Sequence, residues 1–253
     1  MGMFIAGLDL GSQADFSAIC CLQKIERVEA KAVEPVTTAT MGQDKPTVKA
    51  APATYHLRHL QRWPLKTSYP VIVNSVHTLL NAPAFKGRDD KGNENSITLV
   101  VDETGVGKPI VELLRIGLGS LHPVIGVVIT GGDRTRIEGG TMYVPKRDLI
   151  ATVSVLLQSS RLLIASELPE SQSLINELLA FSVRVSQAGH DSYGVGVSEW
   201  RTAKNDDMVL SVSLAAWYAE RVGSVGSIRG IPKSSLWHSV PAFESPFRDK
   251  GWW

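Results

Sequence analysis

The sequence predicts a three-layer α/β domain, a mixed central sheet with helices on both faces, and three observations lead there. Three strand-like segments come early, within residues 4–63. A strand, helix, strand series follows over 97–129, which within one sheet means a right-handed parallel crossover. Helical segments then dominate up to about Arg221. Strands first, a crossover in the middle and helices late fit helices packed on both sides of one sheet. With 253 residues, 43% hydrophobic and 20% charged, the chain can bury the core that such a domain needs.

Residues 4–10 and 17–26 read as two strands joined by the tight turn Gly11-Ser12-Gln13-Ala14-Asp15, a hairpin in which Asp15 serves as a turn acceptor. From 28 to 53 the composition shifts to Ala, Thr, Pro, Gln and Lys with little apolar periodicity, the pattern of a surface insertion with room for a short hairpin of its own. Residues 54–63 alternate large apolar with basic or polar side chains, a third strand with one distinctly basic face. Pro64 and Pro70 bracket a turn, and Val71, Val73, Val76, Leu79 and Leu80 then predict a helix. The charged, glycine-rich stretch 86–93 reads as a solvated loop.

Ile97 to Asp102 is a β-branched strand, and a helix starts at Lys108 with Pro109 suited to its first turn. Val124 to Ile129 is a near-continuous apolar run, as in a strand buried on both faces. Gly131 to Arg136 reads as a mobile basic loop, and Asp148 caps or enters the first turn of a helix over 149–158. After the short apolar Leu162-Leu163-Ile164, a helix runs from Pro169 to about Val183, with Leu174, Ile175, Leu178, Leu179 and Phe181 on one stripe. Residues 188–198 are a glycine-rich strand or loop, a helix runs from Asp206-Asp207 to about Arg221, and 222–253 form a tail.

The net charge of +1 exerts no general pull on nucleic acid, so any DNA contact is local or arranged by a partner. Cys20 and Cys21 are neighbours in a strand with side chains on opposite faces, which suits a reducing cytoplasm rather than a disulfide or zinc spacing. The apolar start is broken by Asp9 and lacks a basic leader, and no run of about 20 apolar residues suggests a membrane span.

Asp9 is the feature that needs explaining, because an ionised side chain within an apolar strand is costly unless something pairs with it. Asp102 repeats the device at the end of a second apolar strand, and Asp206-Asp207 open the last helix. Singly, each has a structural explanation: Asp102 as a strand-end cap, Asp206 or Asp207 as a helix N-cap. Together they can supply the oxygen ligands that two divalent ions about 4 Å apart require for phosphodiester displacement. Hard oxygen ligands point to Mg2+ or Mn2+. Glu103 is the weakest candidate, since alternation turns it from the face that Asp102 uses. Gly105-Val106-Gly107-Lys108 is no P-loop: Asp102 stands where the first glycine belongs, and Pro109 follows the lysine. Leu8-Asp9-Leu10-Gly11-Ser12 also fits the phosphate turn of an actin-like or sugar-kinase-like fold, but the chain is short for the two domains those proteins use.

Gly7-Leu8-Asp9-Leu10-Gly11, Val101-Asp102-Glu103-Thr104-Gly105-Val106-Gly107, Val144-Pro145-Lys146-Arg147-Asp148-Leu149 and Asn205-Asp206-Asp207-Met208-Val209-Leu210 occur in that order. As a set they resemble the C-terminal nuclease domain of tailed-bacteriophage terminase large subunits, over about residues 4–221. Two positions depart from that family: Asn205 replaces its usual His, and Leu210 stands where some relatives carry a later acid. The resemblance implies an RNase H-like, resolvase-like domain over 1–221, with 28–53 inserted and 222–253 as tail. It implies a Mg2+- or Mn2+-dependent endonuclease, with two ions held by Asp9, Asp102 and Asp207 and with Asp206 beside them, cutting double-stranded viral DNA in the host cytoplasm. It also implies a terminase ATPase motor, a small subunit and a portal as partners. Arg134, Arg136, Lys146 and Arg147 are the cations expected to hold the DNA backbone. A resolvase-like nuclease on branched DNA, an actin-like ATPase or kinase, and a non-catalytic packaging scaffold are the alternatives.

Overall fold

The computed structural model describes residues 3–11, 15–29, 49–85, 95–104, 108–187 and 206–221; of 27–29, 49–51 and 181–187 it describes only the backbone. The expectations for the loop 86–93, the stretch 188–198 and the tail 222–253 lie outside the described residues, as does most of the insertion. Among the described residues there are eight strands, β1 (Met3–Asp9), β2 (Ser17–Glu29), β3 (Lys49–Trp63), β4 (Ile97–Asp102), β5 (Val124–Thr130), β6 (Arg136–Glu138), β7 (Thr141–Pro145) and β8 (Leu162–Ile164). Five α-helices accompany them, α1 (Tyr69–Leu80), α2 (Lys108–Leu118), α3 (Lys146–Gln158), α4 (Ser171–Gln187) and α5 (Asp207–Arg221).

The strands form one sheet in the order β6-β7-β5-β4-β1-β2-β3-β8. β1 pairs antiparallel with β2 as the hairpin pattern requires, while β4 lies parallel to β1 and β5 parallel to β4. This is the expected three-layer arrangement, a mixed sheet covered by helices on both faces. α1 and α2 cover one face through Ile72, Val76, Leu80, Val111, Leu114 and Leu118. α3, α4 and α5 cover the other through Leu149, Val153, Leu156, Leu174 and most of α5.

Several expectations are corrected. β2 runs to Glu29 and β3 begins at Lys49, so the ladder extends into both ends of the stretch read as an insertion. The basic loop after β5 is partly structured: Arg136 opens β6, which turns into β7 through Gly139 and Gly140, both at positive φ. On α4 only Leu174 of the described stripe is fully buried; Ile175 and Leu179 are exposed, and Glu177 is buried instead. The basic residues of β3 do not share a face. Its pairing with β2 slips by one residue at Arg58, so Leu60 and Arg62 lie opposite Cys20 and Ala18 on the α5 side, whereas His59 lies opposite Cys21 on the other.

α5 is the helix most deeply set into the fold, with twelve of its fifteen residues buried. Small side chains permit this, and the buried hydroxyls of Ser211 and Ser213 donate to the carbonyls of Met208 and Val209 at 2.9 and 2.7 Å. The closest approach is to Gly7 of β1, where a Cβ would stand 1.9 Å from the Ser211 carbonyl oxygen and 3.0 Å from the Ala215 nitrogen. Gly7→Ala should gain up to about 1 kcal/mol from strand propensity but lose about 3 kcal/mol or more by overpacking, because the obstructing atoms are backbone. Urea denaturation should show the net destabilisation as a lower midpoint with an unchanged slope.

Candidate metal centre

Parallel pairing of β1 with β4 sets Leu8 opposite Val101, so Asp9 and Asp102 are the next residues on adjacent strands about 4.8 Å apart. Alternation puts both on the α5 face, in line with Gly7 and Val100. α5 runs antiparallel to β1, because Ser211 lies over Gly7 while Ala219 accepts a hydrogen bond from Lys24 at 2.8 Å near the start of β1. Its N-terminus therefore falls at the Asp9 end of the sheet. Asp207 is buried there, and Asp206 lies immediately before it. Three distant stretches thus bring their acids to one end of the sheet, as the sequence suggested.

The electrostatics agree with this proximity. Burial first, and then the charges of Asp102, Asp207 and Asp206, push the Asp9 carboxyl well above its usual range, with Lys146 opposing. Burial likewise raises Asp207, against the pull of Arg62. Two cations enter the group. Lys146, the first residue of α3, donates to Asp206 Oδ2 at 3.3 Å, and Arg62 Nε donates to Asp207 Oδ2 at 2.7 Å. Asp102 Oδ1 accepts the Thr104 backbone N–H at 2.8 Å, which fixes that carboxylate at the strand end. Glu103 is turned to the opposite face, where it lies against Gly126 and accepts a hydrogen bond from Thr141 at 3.3 Å.

Among the described residues, Asp9, Asp102, Asp206, Asp207 and the Arg62-bound Glu177 stand against two cations, Lys146 and Arg62, which leaves excess negative charge, and every donor is a hard oxygen. The set suits Mg2+ or Mn2+ in kind. Among the described residues, no three His, Cys, Asp or Glu side chains converge into a ready-made metal cage. A cavity of about 250 Å3 between the β1–β2 and β3–α1 turns, lined by Gly11, Ser17, Lys66 and Tyr69 among others, includes none of the four acids.

The four expected DNA cations divide. Lys146 points into the acid group rather than standing at its rim. Arg147 binds the Asp133 carboxylate and carbonyl at 2.7 and 2.8 Å, which ties the loop after β5 to the start of α3. Arg136 pairs with Glu138 at 2.8 Å and lies over the Tyr143 ring, and Arg134 is exposed. Two residues at the site escaped the sequence reading. Arg62 reads as part of a basic strand face, and Glu177 lies within the apolar stripe of α4. The signals were there: the apolar interval lengthens from Tyr55, Leu57 to Leu60, and an acid stands between Leu174 and Leu178.

No family model matches the chain, and no curated protein matches it. Among solved structures it is similar to the large terminase nuclease from thermophilic phage G20c, at 16% identity and a TM-score of 0.40 over 85% of this chain and 81% of that one. It is also similar to the human cytomegalovirus terminase nuclease domain. The Mn-soaked form aligns at 12% identity and a TM-score of 0.44, covering 87% and 83% of the two chains. The Mn-soaked, inhibitor-bound form aligns at 12% and 0.38, covering 84% and 82%. No helix among the described residues is long and apolar enough to cross a membrane.

Proposed function

We propose that this chain is a metal-dependent endonuclease that cuts double-stranded viral DNA during genome packaging. The observation that carries the reading is the gathering of Asp9, Asp102, Asp207 and Asp206 from β1, β4 and α5 at one end of the sheet, with Asp9 buried among like charges. Such a group is costly to fold, because burial and mutual repulsion both act against its charges. Asp9, Asp102 and Asp207 would hold Mg2+ or Mn2+, with Asp206 and Lys146 beside them. When bound, a pair of such ions supplies an activated water and stabilises the attacking and leaving oxygens of an in-line displacement.

The chain's own residues have three tasks. The acids concentrate negative charge where cations are needed, and Lys146 and Arg62 limit their mutual repulsion. Arg134, Arg136 and Arg147, around the loop after β5 and the start of α3, orient the DNA backbone without reading sequence. A net charge of +1 makes this grip weak, so a terminase motor, with its small subunit and portal, would present the DNA in the host cytoplasm.

Nicking and linearisation of supercoiled plasmid in Mg2+ or Mn2+, stopped by EDTA, tests the reading. No cleavage with either ion would favour a packaging scaffold, and preference for four-way junctions over linear duplex would favour a resolvase. Arg134, Arg136 and Arg147 changed together to Ala should flatten log affinity against log salt by about 0.9 for each phosphate no longer neutralised. Fluorescence anisotropy in Ca2+ over a salt series measures this slope, and an unchanged slope would return the three arginines to solvated surface.

A further inference from the structure

We propose that Arg62 is a positioning residue: together with Glu177 it holds the start of α5 so that Asp207 stays turned toward Asp9 and Asp102, and divalent-ion binding depends on this tie. The inference rests on the reading that the acid group holds the ion.

Arg62 reaches the site because of an irregularity in β3. Up to Leu57 the odd residues face α5, but Arg58 is an extra residue in the ladder with β2, and beyond it the even residues do so. Bulges commonly re-aim side chains in this way. Without it Arg62 would point to the α1 side of the sheet.

Once there, the guanidinium spans two helices. Its Nε donates to Asp207 Oδ2 at 2.7 Å, its Nη2 meets Glu177 Oε1 of α4, and its carbon sits 5.1 Å from the Phe16 ring centroid. The Arg62 side chain is only 17% exposed and both carboxylates 7%, so little solvent screens the group. A planar fork can serve two carboxylates at once, which a lysine cannot do with the same geometry.

Glu177 has a second task. Its Oε2 accepts the backbone N–H groups of Met208 and Val209 at 3.2 and 3.3 Å, donors that the first turn of a helix leaves without an internal partner. The residue before the helix, Asp206, would ordinarily supply that cap, but its carboxylate is bonded to Lys146. The cap therefore comes from another helix and is itself anchored by Arg62. Removing Arg62 leaves two buried carboxylates with one cation fewer between them, and their repulsion falls on the segment that carries Asp207.

Groups that orient a metal ligand typically contribute 10- to 100-fold to metal affinity. Calorimetric titration with Mn2+, with thermal melts to ensure that only folded protein is compared, should show Arg62→Ala binding at least about tenfold more weakly. Arg62→Lys should recover part of that loss, and Glu177→Gln should also weaken binding. Arg62→Ala combined with Asp207→Asn should bind Mn2+ no worse than Asp207→Asn alone, because the effect passes through Asp207. A lower melting temperature with unchanged Mn2+ affinity, or losses that add independently in the double variant, would overturn the proposal. If Arg62→Ala does not fold, unchanged affinity in both Arg62→Lys and Glu177→Gln would do the same. Mn2+ binding lost in Asp9→Asn but intact in the Arg62 variants removes this proposal alone. No Mn2+ binding by the wild type, or wild-type binding by Asp9→Asn and Asp102→Asn, removes the metal-centre reading and this proposal together.

Discussion

Asp9→Asn and Asp102→Asn should each reduce Mg2+- or Mn2+-dependent plasmid nicking by on the order of a thousandfold, the scale of losing one preorganised electrostatic group. The fold should survive both changes. Asparagine nearly preserves volume, and at 102 its amide oxygen can still accept the Thr104 N–H. Asp9→Asn should also melt at a higher temperature than the wild type in EDTA, since it removes a buried charge repelled by Asp102, Asp207 and Asp206. The sign with pH follows from linkage. Asp9 is raised in the folded chain above its ordinary value of 3.8, so between the two values the folded state holds a proton that the unfolded state has released. Stability from this group falls as pH rises through that window. The advantage of Asp9→Asn should therefore grow as pH rises above the ordinary carboxylate value and vanish below it. Near wild-type cleavage by either variant would remove the site as drawn.

Asp207→Asn should cost at least about a hundredfold in cleavage and Asp206→Asn about tenfold, a ranking set by which acid the ion would use directly. Asp207 is 5% exposed, lies in the first turn of α5 and is oriented by Arg62. Asp206 lies outside the helix, and its carboxylate is matched with Lys146 at 3.3 Å. Loss of Asp206 would free Lys146 toward Asp9 and Asp102, a change of local charge rather than of a direct ligand. Steady-state nicking rates of the two variants, measured over a Mn2+ series, decide between them, and the reverse ranking would make Asp206 the direct ligand.

Much of the frame was legible because it follows from local rules. Asp9 and Asp102 stood out as acids terminating apolar runs, and the parallel register of their strands then required them to be neighbours on one face. The start of α5 was legible for the same reason: an acid pair precedes a long run compatible with burial. The hairpin β6–β7 is not legible because Arg136 to Glu138 is exposed throughout and three residues are too few to show a strand period. The stripe on α4 was overdrawn because helical periodicity counts Ile175 and Leu179 as apolar without knowing how much of the helix the neighbouring layer covers.

The sequence by itself determined the three early strands, the central strand-helix-strand series and the late helices, the absence of a P-loop, and which acids could meet, because each depends on periodicity, turn residues and chain order. Only the tertiary structure decided how the charges are shared. Lys146, expected at the rim, turns inward because α3 begins directly where β7 ends, beside Asp206. Arg62 faces the acids because one extra residue in β3 reverses its alternation, and Glu177 caps a helix whose first residue is 30 positions later in the chain. Such pairings between distant segments depend on which side chains the packed layers bring within a few ångströms, and no local pattern encodes that distance.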